Sequence, residues 1–466
     1  MPRIERAHLE KLAGYPFVVV SWVDDAGYPL SAATEFTVDA AAGVVALRAP
    51  AGDAAAIPVD REINVLGSHI HPTPGQGYDE RRYLQLWGTA GAADAATGAA
   101  GAADAGWVRF TPTEAWGWDE SEIPFFEYSE RSVPQSRRYL AQLSEEQGRT
   151  IRPRLSLGWL FLRTTRLPFL SATAVPVLLG IAVAARGWAF DPWLALLTIV
   201  GAAFAHLAIN VTNDIFDTLS GADEANVNPT QFSGGSRVLI YDLVTLRQLV
   251  ALAIALFGGA AAIGLALVWV TGSATLLWIG LIGIGLGVAY TAPPLKLVYR
   301  GLGEIAVAIG FGPVMLLGAY VVQTGTLTAE AAVASVPVAI LVALILYVNE
   351  IPDRVGDAAA GKRTLPVRLP QRAVIGLYVA GVVVSFGVVI GGVVAQVLPL
   401  ATLLALLAAP LAWQVYGGIS RFYAQPYALM AYMGVNVKLH LYVGLLLLAG
   451  YVVAIVATMI AIPQLA

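Results

Sequence analysis

The chain has 466 residues, of which 57% are hydrophobic and only 13% are charged. A soluble domain of this length carries about a quarter charged residues, so a wholly soluble protein is not expected. The absence of cysteine excludes disulfides, thiolate catalysis, zinc–thiolate sites and iron–sulfur clusters. Residues 1–148 hold 11 Lys and Arg against 21 Asp and Glu, whereas residues 149–466 hold 17 against 11. The sequence therefore predicts an acidic soluble domain over 1–148 and a membrane domain over 149–466, with no nucleic-acid partner.

The first domain has the pattern of a mainly β fold. Runs that predict strands, separated by turns, are YPFVVVSWV, AATEFTVDAAAGVVALRAP, RRYLQLWGTAG and GWVRFTPTEAWGW. Between the last two runs, AADAATGAAGAADAG is of low complexity and predicts a loop. A small β-barrel or sandwich is expected. It is followed by a short helix in VPQSRRYLAQLSEEQG that leads to the membrane domain.

From about residue 167 the chain is dominated by apolar runs. A helix that crosses a bilayer needs about 20 mostly apolar residues. Nine candidate spans meet this condition, near 168–186, 192–213, 248–271, 274–291, 303–323, 331–350, 373–394, 398–417 and 438–460. The sequence thus predicts an all-α domain of nine transmembrane helices.

The distribution of Lys and Arg predicts the orientation of these spans. Nearly all of them lie before the first span or in loops that follow even-numbered spans, and Arg186 alone follows an odd-numbered one. Cytoplasmic loops carry this excess of positive charge. We therefore expect the N-terminal domain in the cytoplasm and the C-terminus outside a bacterial or archaeal cytoplasmic membrane.

Two acidic clusters follow predicted spans on the cytoplasmic side. One is NVTNDIFDTLSGAD at 210–223, and the other lies in YVNEIPDRVGDAAAGKRTLPVRL from residue 347. In each cluster, residues three or four apart share a helix face. Mg²⁺ is typically held by one or two carboxylates together with a substrate phosphate, so we predict a metal-bridged diphosphate site. The expected metal ligands are Asn210, Asp214, Asp217, Asn349, Asp353 and Asp357, whose four aspartates are also expected to be catalytic.

A plainer interpretation is that these aspartates are solvated loop residues. It is acceptable for one cluster and weak for two on the same membrane face, because ionisable groups at membrane depth are usually functional.

Nearby basic residues could hold the outer oxygens of a diphosphate. The candidates are Arg237, Lys296, Arg300, Lys362 and Arg363, any of which could instead only set the membrane topology. Tyr290, in YTAPPLKLVYRGLGE with Lys296 and Arg300, could also hold the diphosphate, or it could be an interfacial aromatic residue. His206 and His440 could touch a substrate, but a satisfied interior histidine is the more favoured role for both.

These motifs resemble those of a known family. N-x-x-N-D-x-x-D-x-x-x-G-x-D, from Asn210 to Asp223, resembles the first motif of UbiA-type intramembrane prenyltransferases. NEIPDRVGDAAAGKRTLPVRL is similar to their second motif, and YTAPPLKLVYRGLGE to the loop between them. The resemblance covers about residues 155–460 and is strongest to the branch that prenylates 1,4-dihydroxy-2-naphthoate in menaquinone biosynthesis. Glu350 and Pro352 depart from that branch and leave the acceptor open.

The resemblance implies a Mg²⁺-dependent enzyme that transfers a polyprenyl group from its diphosphate to an aromatic acceptor. It implies that Asp214, Asp217, Asp353 and Asp357 bind the metal and that Asn210 and Asn349 orient it or its waters. Tyr290 is expected to be catalytic as well, because it could place the diphosphate or shield the allylic carbocation. Another quinone precursor or a glycerol-phosphate lipid stays open as the acceptor. From a different class, a cation-coupled transporter is the rival, although transporters carry their acids near the bilayer midplane and show paired repeats. An inactive membrane anchor is a further alternative.

The N-terminal domain faintly resembles the split barrel of pyridoxamine-phosphate-oxidase-like flavin proteins, over residues 8–125. That resemblance implies FMN, with no phosphate ligands assignable. His69 and His71 are two apart, as in some metal or haem sites, but a polar loop is favoured there.

Overall fold

The computed structural model describes residues 3–461 apart from 25–26, 50–56, 60, 74–76, 93–105, 124–126, 129–131, 133–139, 152–155, 227–228 and 231. The chain divides into two compact units, Met1–Ser129 and Glu130–Ala466. The predicted boundary between residues 148 and 149 stays a prediction. Most of the predicted low-complexity loop and the first half of the predicted linking helix lie outside the described residues, and residues 140–146 of that helix are helical.

The N-terminal unit is the expected mainly β fold. After helix α1 (Arg6–Leu12) come seven strands, β1 Val18–Val23, β2 Pro29–Thr34, β3 Phe36–Asp39, β4 Val44–Arg48, β5 Glu62–Thr73, β6 Gly77–Ala92 and β7 Trp107–Asp119. They form one antiparallel sheet in the order β2-β1-β5-β6-β7-β4-β3. Leu12 of α1 and the strand residues Val20, Leu86 and Phe110 are fully buried in its core. Apolar residues that alternate along the strands therefore cover one face of the sheet.

One prediction for this unit is wrong. The stretch with His69 and His71 was expected to be a polar loop, but it belongs to the long β5–β6 hairpin, with a register shift between the two histidines. His69 pairs with Arg82 and His71 with Asp79 of β6, so both histidines lie in a paired strand rather than in a turn.

In its described residues, the second unit is built of helices joined by loops. Its elements are α2 Leu157–Thr165, α3 Ser171–Arg186, α4 Pro192–Leu219, α5 Ala222–Ala225, α6 Leu246–Thr271, α7 Ala274–Thr291, α8 Gly303–Thr324, α9 Ala329–Ala359, α10 Leu365–Arg368, α11 Gln371–Val394, α12 Leu400–Phe422 and α13 Pro426–Ala461. A turn of 3₁₀-helix, Leu167–Leu170, precedes α3, and another, Leu297–Arg300, follows α7.

Each of the nine predicted spans coincides with a helix. In the described part of the chain, 8 helices are long and apolar enough to cross a membrane, and α3 is a shorter apolar helix of 16 residues. The prediction of a multispanning all-α domain behind a mainly β domain is confirmed.

Local signals in the sequence set where these helices begin. Asp191 caps α4 by accepting hydrogen bonds from the backbone N–H groups of Trp193 and Leu194. Thr328 caps α9 in the same way through Ala331 N–H. Such caps satisfy donors that have no partner within the helix, at about 1 kcal/mol each.

Helices α4 and α9 are the two that bring the acidic clusters together. Both are longer than the predicted spans, at 28 and 31 residues, so α4 continues to Leu219 and α9 to Ala359. The clusters are therefore helical, as the three- and four-residue spacings required. Helix α9 also crosses the main core, where Leu341 and Val348 belong to the same buried cluster as Tyr378 of α11 and Tyr451 of α13. This packing fixes the rotation of α9 about its axis.

Candidate active site

A cavity of about 570 Å³ lies within the helical unit. Along α4 its lining residues recur every three or four positions, and they change from apolar (Gly201, Ala205, Ile209) to polar (Asn213, Asp217). Helix α9 repeats this change, from Val342 and Leu346 to Asn349, Asp353 and Asp357. The cavity therefore has a polar end, where the two acidic clusters meet, and an apolar remainder.

The apolar remainder is bounded mainly by α6, α7 and α8. Its walls carry Leu265 on α6, Leu281 and Ile284 on α7, and Val307 and Phe311 on α8. Leu265 is 61% exposed and Leu281 51%, so the wall between α6 and α7 opens toward the surface that surrounds the helices. This end can accept a long apolar chain.

Five of the six predicted metal ligands line the cavity, namely Asn210, Asp217, Asn349, Asp353 and Asp357. The sixth, Asp214, is a described residue that does not line the cavity. It is 2% exposed and forms an ion pair with Arg166 at 2.7 Å, while Ser236 N–H donates to it at 3.2 Å. Asn213 and Asp223 line the cavity in its place.

Hydrogen-bond donors orient the carboxylates at the polar end of the cavity. Tyr299 donates its hydroxyl hydrogen to Asp217 at 2.9 Å, and Asn213 donates its amide to the same carboxylate at 3.0 Å. On the other helix, Asp353 accepts from the Asn226 amide at 2.7 Å and from Gly234 N–H at 3.0 Å. The carboxylates of α4 and α9 are thus oriented by separate partners.

Lys362 connects the two acidic clusters. Its ammonium lies 3.4 Å from Asp217 and 3.7 Å from Asp357, and the side chain lines the cavity. Burial alone would lower the pKa of Lys362, but the carboxylates of Asp217 and Asp357 outweigh it and raise that pKa well above its ordinary value. Lys362 therefore stays a cation at neutral pH. Arg166 is a second cation in the lining, which the sequence suggested only as a topological charge.

The other predicted diphosphate-binding residues lie outside the cavity lining. The Arg237 guanidinium donates to the Asn226 carbonyl at 3.1 Å, and that of Arg300 donates to the Pro294 carbonyl at 3.0 Å. Lys296 lies over the Tyr299 ring, 5.1 Å from its centroid, and Arg363 is exposed. Of the five, Lys362 is the one that the structure brings to the polar end.

The polar end has the donor set of a hard divalent cation. Asn349 Oδ1 and Asp357 Oδ2 are buried oxygens with no hydrogen-bond donor among the described residues. Burial raises the pKa of Asp223 well above its ordinary value, and the nearby charges of Asp217 and Asp214 raise it further. A cation would satisfy these oxygens and relieve that repulsion. Within the described residues, no three acids or histidines lie close enough together to form a metal-binding group on their own.

Comparison with known proteins explains why these groups occur together. The sequence profile of the UbiA prenyltransferase family matches residues 173–436, which is more than half of the chain. The chain belongs to the UbiA prenyltransferase family. The match includes both acidic clusters and the loop between them. The expectation of a prenyltransferase embedded in a membrane is therefore confirmed.

Relatives of this prenyltransferase carry specific names. A 1,4-dihydroxy-2-naphthoate octaprenyltransferase of Bacillus subtilis is 29% identical over 255 residues, which cover 54% of this chain and 79% of the relative. A 2-carboxy-1,4-naphthoquinone phytyltransferase of Synechocystis is 30% identical over 296 residues, covering 63% and 92%. A solved UbiA homolog from Archaeoglobus fulgidus, bound to DMAPP and Mg²⁺, has a TM-score of 0.44 at 15% identity, covering 62% of this chain and 99% of that one.

The family match begins at residue 173 and does not include the N-terminal unit of the prenyltransferase. Its seven-stranded sheet is compatible with the split-barrel expectation, but FMN finds no support in these comparisons. His69 lies 3.4 Å from Glu80 in the β5–β6 hairpin, an ordinary cross-strand pair.

Three further residues complete the description of the prenyltransferase cavity. Tyr290 lines it on α7, and Glu350, where the sequence departs from the naphthoate branch, lines it on α9. His206 also lines it, with Nδ1 2.6 Å from the Thr173 hydroxyl. His440 is fully buried beside the Ser171 carbonyl, at 3.5 Å. This is the interior position expected for it, but its Nδ1 has no hydrogen-bond partner among the described residues.

Proposed function

We propose that this protein transfers a polyprenyl group from its diphosphate to 1,4-dihydroxy-2-naphthoate in a Mg²⁺-dependent reaction. The observation that carries the proposal is the cavity itself, in which two carboxylate-bearing helix ends and Lys362 lie at one end of an otherwise apolar chamber. That arrangement matches a substrate with a diphosphate head and an isoprenoid tail. The acceptor is inferred from the names of the relatives, two of which act on naphthoate or naphthoquinone compounds.

The residues of the polar end divide the work of binding the diphosphate. Lys362 and Arg166 supply positive charge to its oxygens, because charge-assisted hydrogen bonds to phosphate are strong. Asp217, Asp353 and Asp357, with Asn213, Asn349 and Asp223, would supply oxygen ligands for the cation, since all six line the cavity. When bound, Mg²⁺ would neutralise the diphosphate and make it a better leaving group. Asn210 and Asp214 hold neighbouring chain segments, since Asn210 donates to the Thr165 carbonyl at 3.0 Å and Asp214 pairs with Arg166.

The apolar walls have two roles in the transfer. They hold the isoprenoid tail, and they exclude water that would otherwise capture the allylic cation formed when the C–O bond breaks. Tyr290 lies in the last turn of α7 and lines the cavity, where its ring can face that cation. The electron-rich ring of the acceptor then forms the new C–C bond to the carbon that diphosphate has left, and the ring regains its aromaticity when the attacked ring carbon loses its proton, or its carboxylate as CO₂.

The polar end opens on the cytoplasmic side in this proposal. The excess of Lys and Arg in the loops that follow the even-numbered predicted spans supports that orientation. Both substrates would then be drawn from the cytoplasm and the inner leaflet.

A product assay tests the proposed reaction. Purified full-length protein is given Mg²⁺, a polyprenyl diphosphate and 1,4-dihydroxy-2-naphthoate, and products are identified by mass spectrometry. Parallel reactions contain other aromatic acceptors or a glycerol-phosphate lipid, and a control omits Mg²⁺. We expect prenylated naphthoate only with Mg²⁺. Product from a different acceptor would overturn the acceptor assignment, and no Mg²⁺-dependent product from any acceptor would overturn the prenyl-transfer proposal.

The neighbouring basic residues Lys362 and Arg363 provide a matched test of how the prenyl diphosphate is bound. Lys362→Ala should raise the KM for the prenyl diphosphate about 10- to 100-fold, because a hydrogen bond to a charged group contributes about 1.5–3 kcal/mol. Arg363→Ala should change it less than about twofold, since Arg363 is exposed and outside the cavity lining. Steady-state kinetics at saturating acceptor measures both variants. Equal changes in the two would contradict the assignment of Lys362 to the site.

A further inference from the structure

The loop between α5 and α6 crosses directly over the polar end of the cavity. Phe232, Ser233, Gly234 and Gly235 all line the cavity, although they lie in a segment with no helix or strand. Gly234 and Gly235 have φ angles of +77° and +73°, a conformation that side-chain-bearing residues rarely adopt. The chain therefore turns back sharply at this point.

Backbone hydrogen bonds hold the loop to both acidic helices. Gly234 N–H donates to Asp353 of α9 at 3.0 Å, and Ser236 N–H donates to Asp214 of α4 at 3.2 Å. On the α9 side, a Cβ at Gly356 would lie 2.9 Å from the Asn226 Cα, so the absence of a side chain there lets the incoming chain approach. The loop thus has little freedom to move away from the cavity.

Gly235 lies against the carboxylate of Asp223. A Cβ at position 235 would lie 2.7 Å and 2.8 Å from the two carboxylate oxygens of Asp223 and 2.9 Å from its Cγ. Real Cβ atoms do not make such contacts. Because the residues on either side of Gly235 are hydrogen-bonded to different helices, the displacement would fall on Asp223.

We infer that Gly235 is a positioning residue for the cation site, because its missing side chain fixes where the Asp223 carboxylate stands in the cavity. The inference rests on the proposed function, in which Asp223 supplies an oxygen ligand. Gly235 would thus position Asp223, a proposed ligand from the first acidic cluster. Gly234, its neighbour in the Gly-Gly pair, ties the same loop to Asp353 of the second cluster.

The test measures ligand binding rather than turnover. Radiolabelled inorganic pyrophosphate is bound to the purified full-length protein at increasing Mg²⁺, and the Mg²⁺ concentration for half-maximal binding is recorded. Gly235→Ala should raise that concentration at least tenfold. The matched control is Gly325→Ala, because Gly325 has a similar φ of +70° but nothing within 4 Å of its Cβ position, at the C-terminus of α8. It should leave the Mg²⁺ requirement within about twofold of the wild type, whatever it does to the melting temperature.

A double-variant cycle separates positioning from general damage. If Gly235 acts through Asp223, then adding Gly235→Ala to Asp223→Ala should change the Mg²⁺ requirement less than twofold. Should Gly235→Ala alone fail to fold, the same cycle applies to folding, and Asp223→Ala should restore it by removing the crowded carboxylate. Additive effects, or a Gly235→Ala protein with the Mg²⁺ requirement of Gly325→Ala, would overturn the inference. A wild type that binds no pyrophosphate with Mg²⁺ would instead overturn the proposed function.

Discussion

Asp357→Asn should lower kcat for prenyl transfer by about a hundredfold to a thousandfold and leave the fold intact. The size follows from the loss of one preorganised charge that acts on the reacting diphosphate. Asp357 suits this test better than the other aspartates because of its contacts. Its Oδ2 has no hydrogen-bond donor among the described residues, so the new amide group would not face another donor there. Its Oδ1, 3.7 Å from Lys362, is replaced by an equivalent carbonyl oxygen.

The same substitution at Asp353 would be harder to interpret. Both oxygens of Asp353 accept hydrogen bonds, one from Asn226 and the other from Gly234 N–H. An asparagine there would turn its NH₂ group toward one of these donors, so the loop would be disturbed together with the charge.

Turnover of Asp357→Asn is measured with saturating substrates over a range of Mg²⁺, beside its melting temperature in detergent. We expect a melting temperature within a few degrees of the wild type and a lost or strongly weakened Mg²⁺ response. A variant that keeps more than about a third of wild-type turnover would remove Asp357 from the proposed cation site.

Most of the fold is predictable from the sequence because the bilayer imposes a length. An apolar run of about 20 residues has few alternatives to a membrane helix, and each predicted span coincides with a helix. The β5 strand was not predicted, since its middle, with Ser68, His69 and His71, carries polar residues where a half-buried strand would show clear alternation. Pairing with β6 over 11 positions forms the strand all the same.

The sequence identifies the acidic clusters of the candidate site, but it does not give the rotation of α4 about its own axis. On a helix, Asn210, Asp214 and Asp217 share a face by spacing, but so do Asn213 and Asp217. Which face meets the cavity depends on how α4 packs. Asp214 lies three residues after Val211 and adjacent to Ile215, both buried in a cluster with residues of α6. That apolar periodicity was visible in the sequence and could have separated Asp214 from the cavity-facing residues.

The loop residues could not be placed from the sequence. Whether Arg237, Lys296 or Arg300 reaches the polar end depends on turns that no periodicity describes. Both Lys296 and Arg237 adopt positive φ angles, +44° and +56°, that redirect the chain. Arg166 also has a positive φ, +53°, at the end of α2, which turns its guanidinium toward α4 and the cavity. Contacts with distant segments select these conformations.

Asp214→Ala should therefore act mainly on stability, lowering the free energy of unfolding by about 3 kcal/mol. Removing one member of a buried ion pair costs about 3–5 kcal/mol, and the lower end applies here because the Arg166 side chain is 25% exposed. The Ser236 N–H, which donates to the same carboxylate, would also lose its partner. The unpaired Arg166 guanidinium and the unpaired Ser236 N–H both destabilise the fold because the Asp214 site is buried, with 2% of the residue exposed. Neither effect depends on cation binding.

The measurement is the denaturation midpoint of Asp214→Ala in detergent, together with its Mg²⁺ requirement for pyrophosphate binding at a temperature where the variant is folded. Asp357→Asn is the matched comparison, with the opposite pattern of near-native stability and impaired Mg²⁺ dependence. We expect the folded fraction of Asp214→Ala to keep a Mg²⁺ requirement within a few-fold of the wild type, because Asn213, Asp217 and Asp223 still line the cavity. A stable Asp214→Ala protein with abolished Mg²⁺ dependence would mean that α4 rotates when the ligand binds, and it would return Asp214 to the cation site.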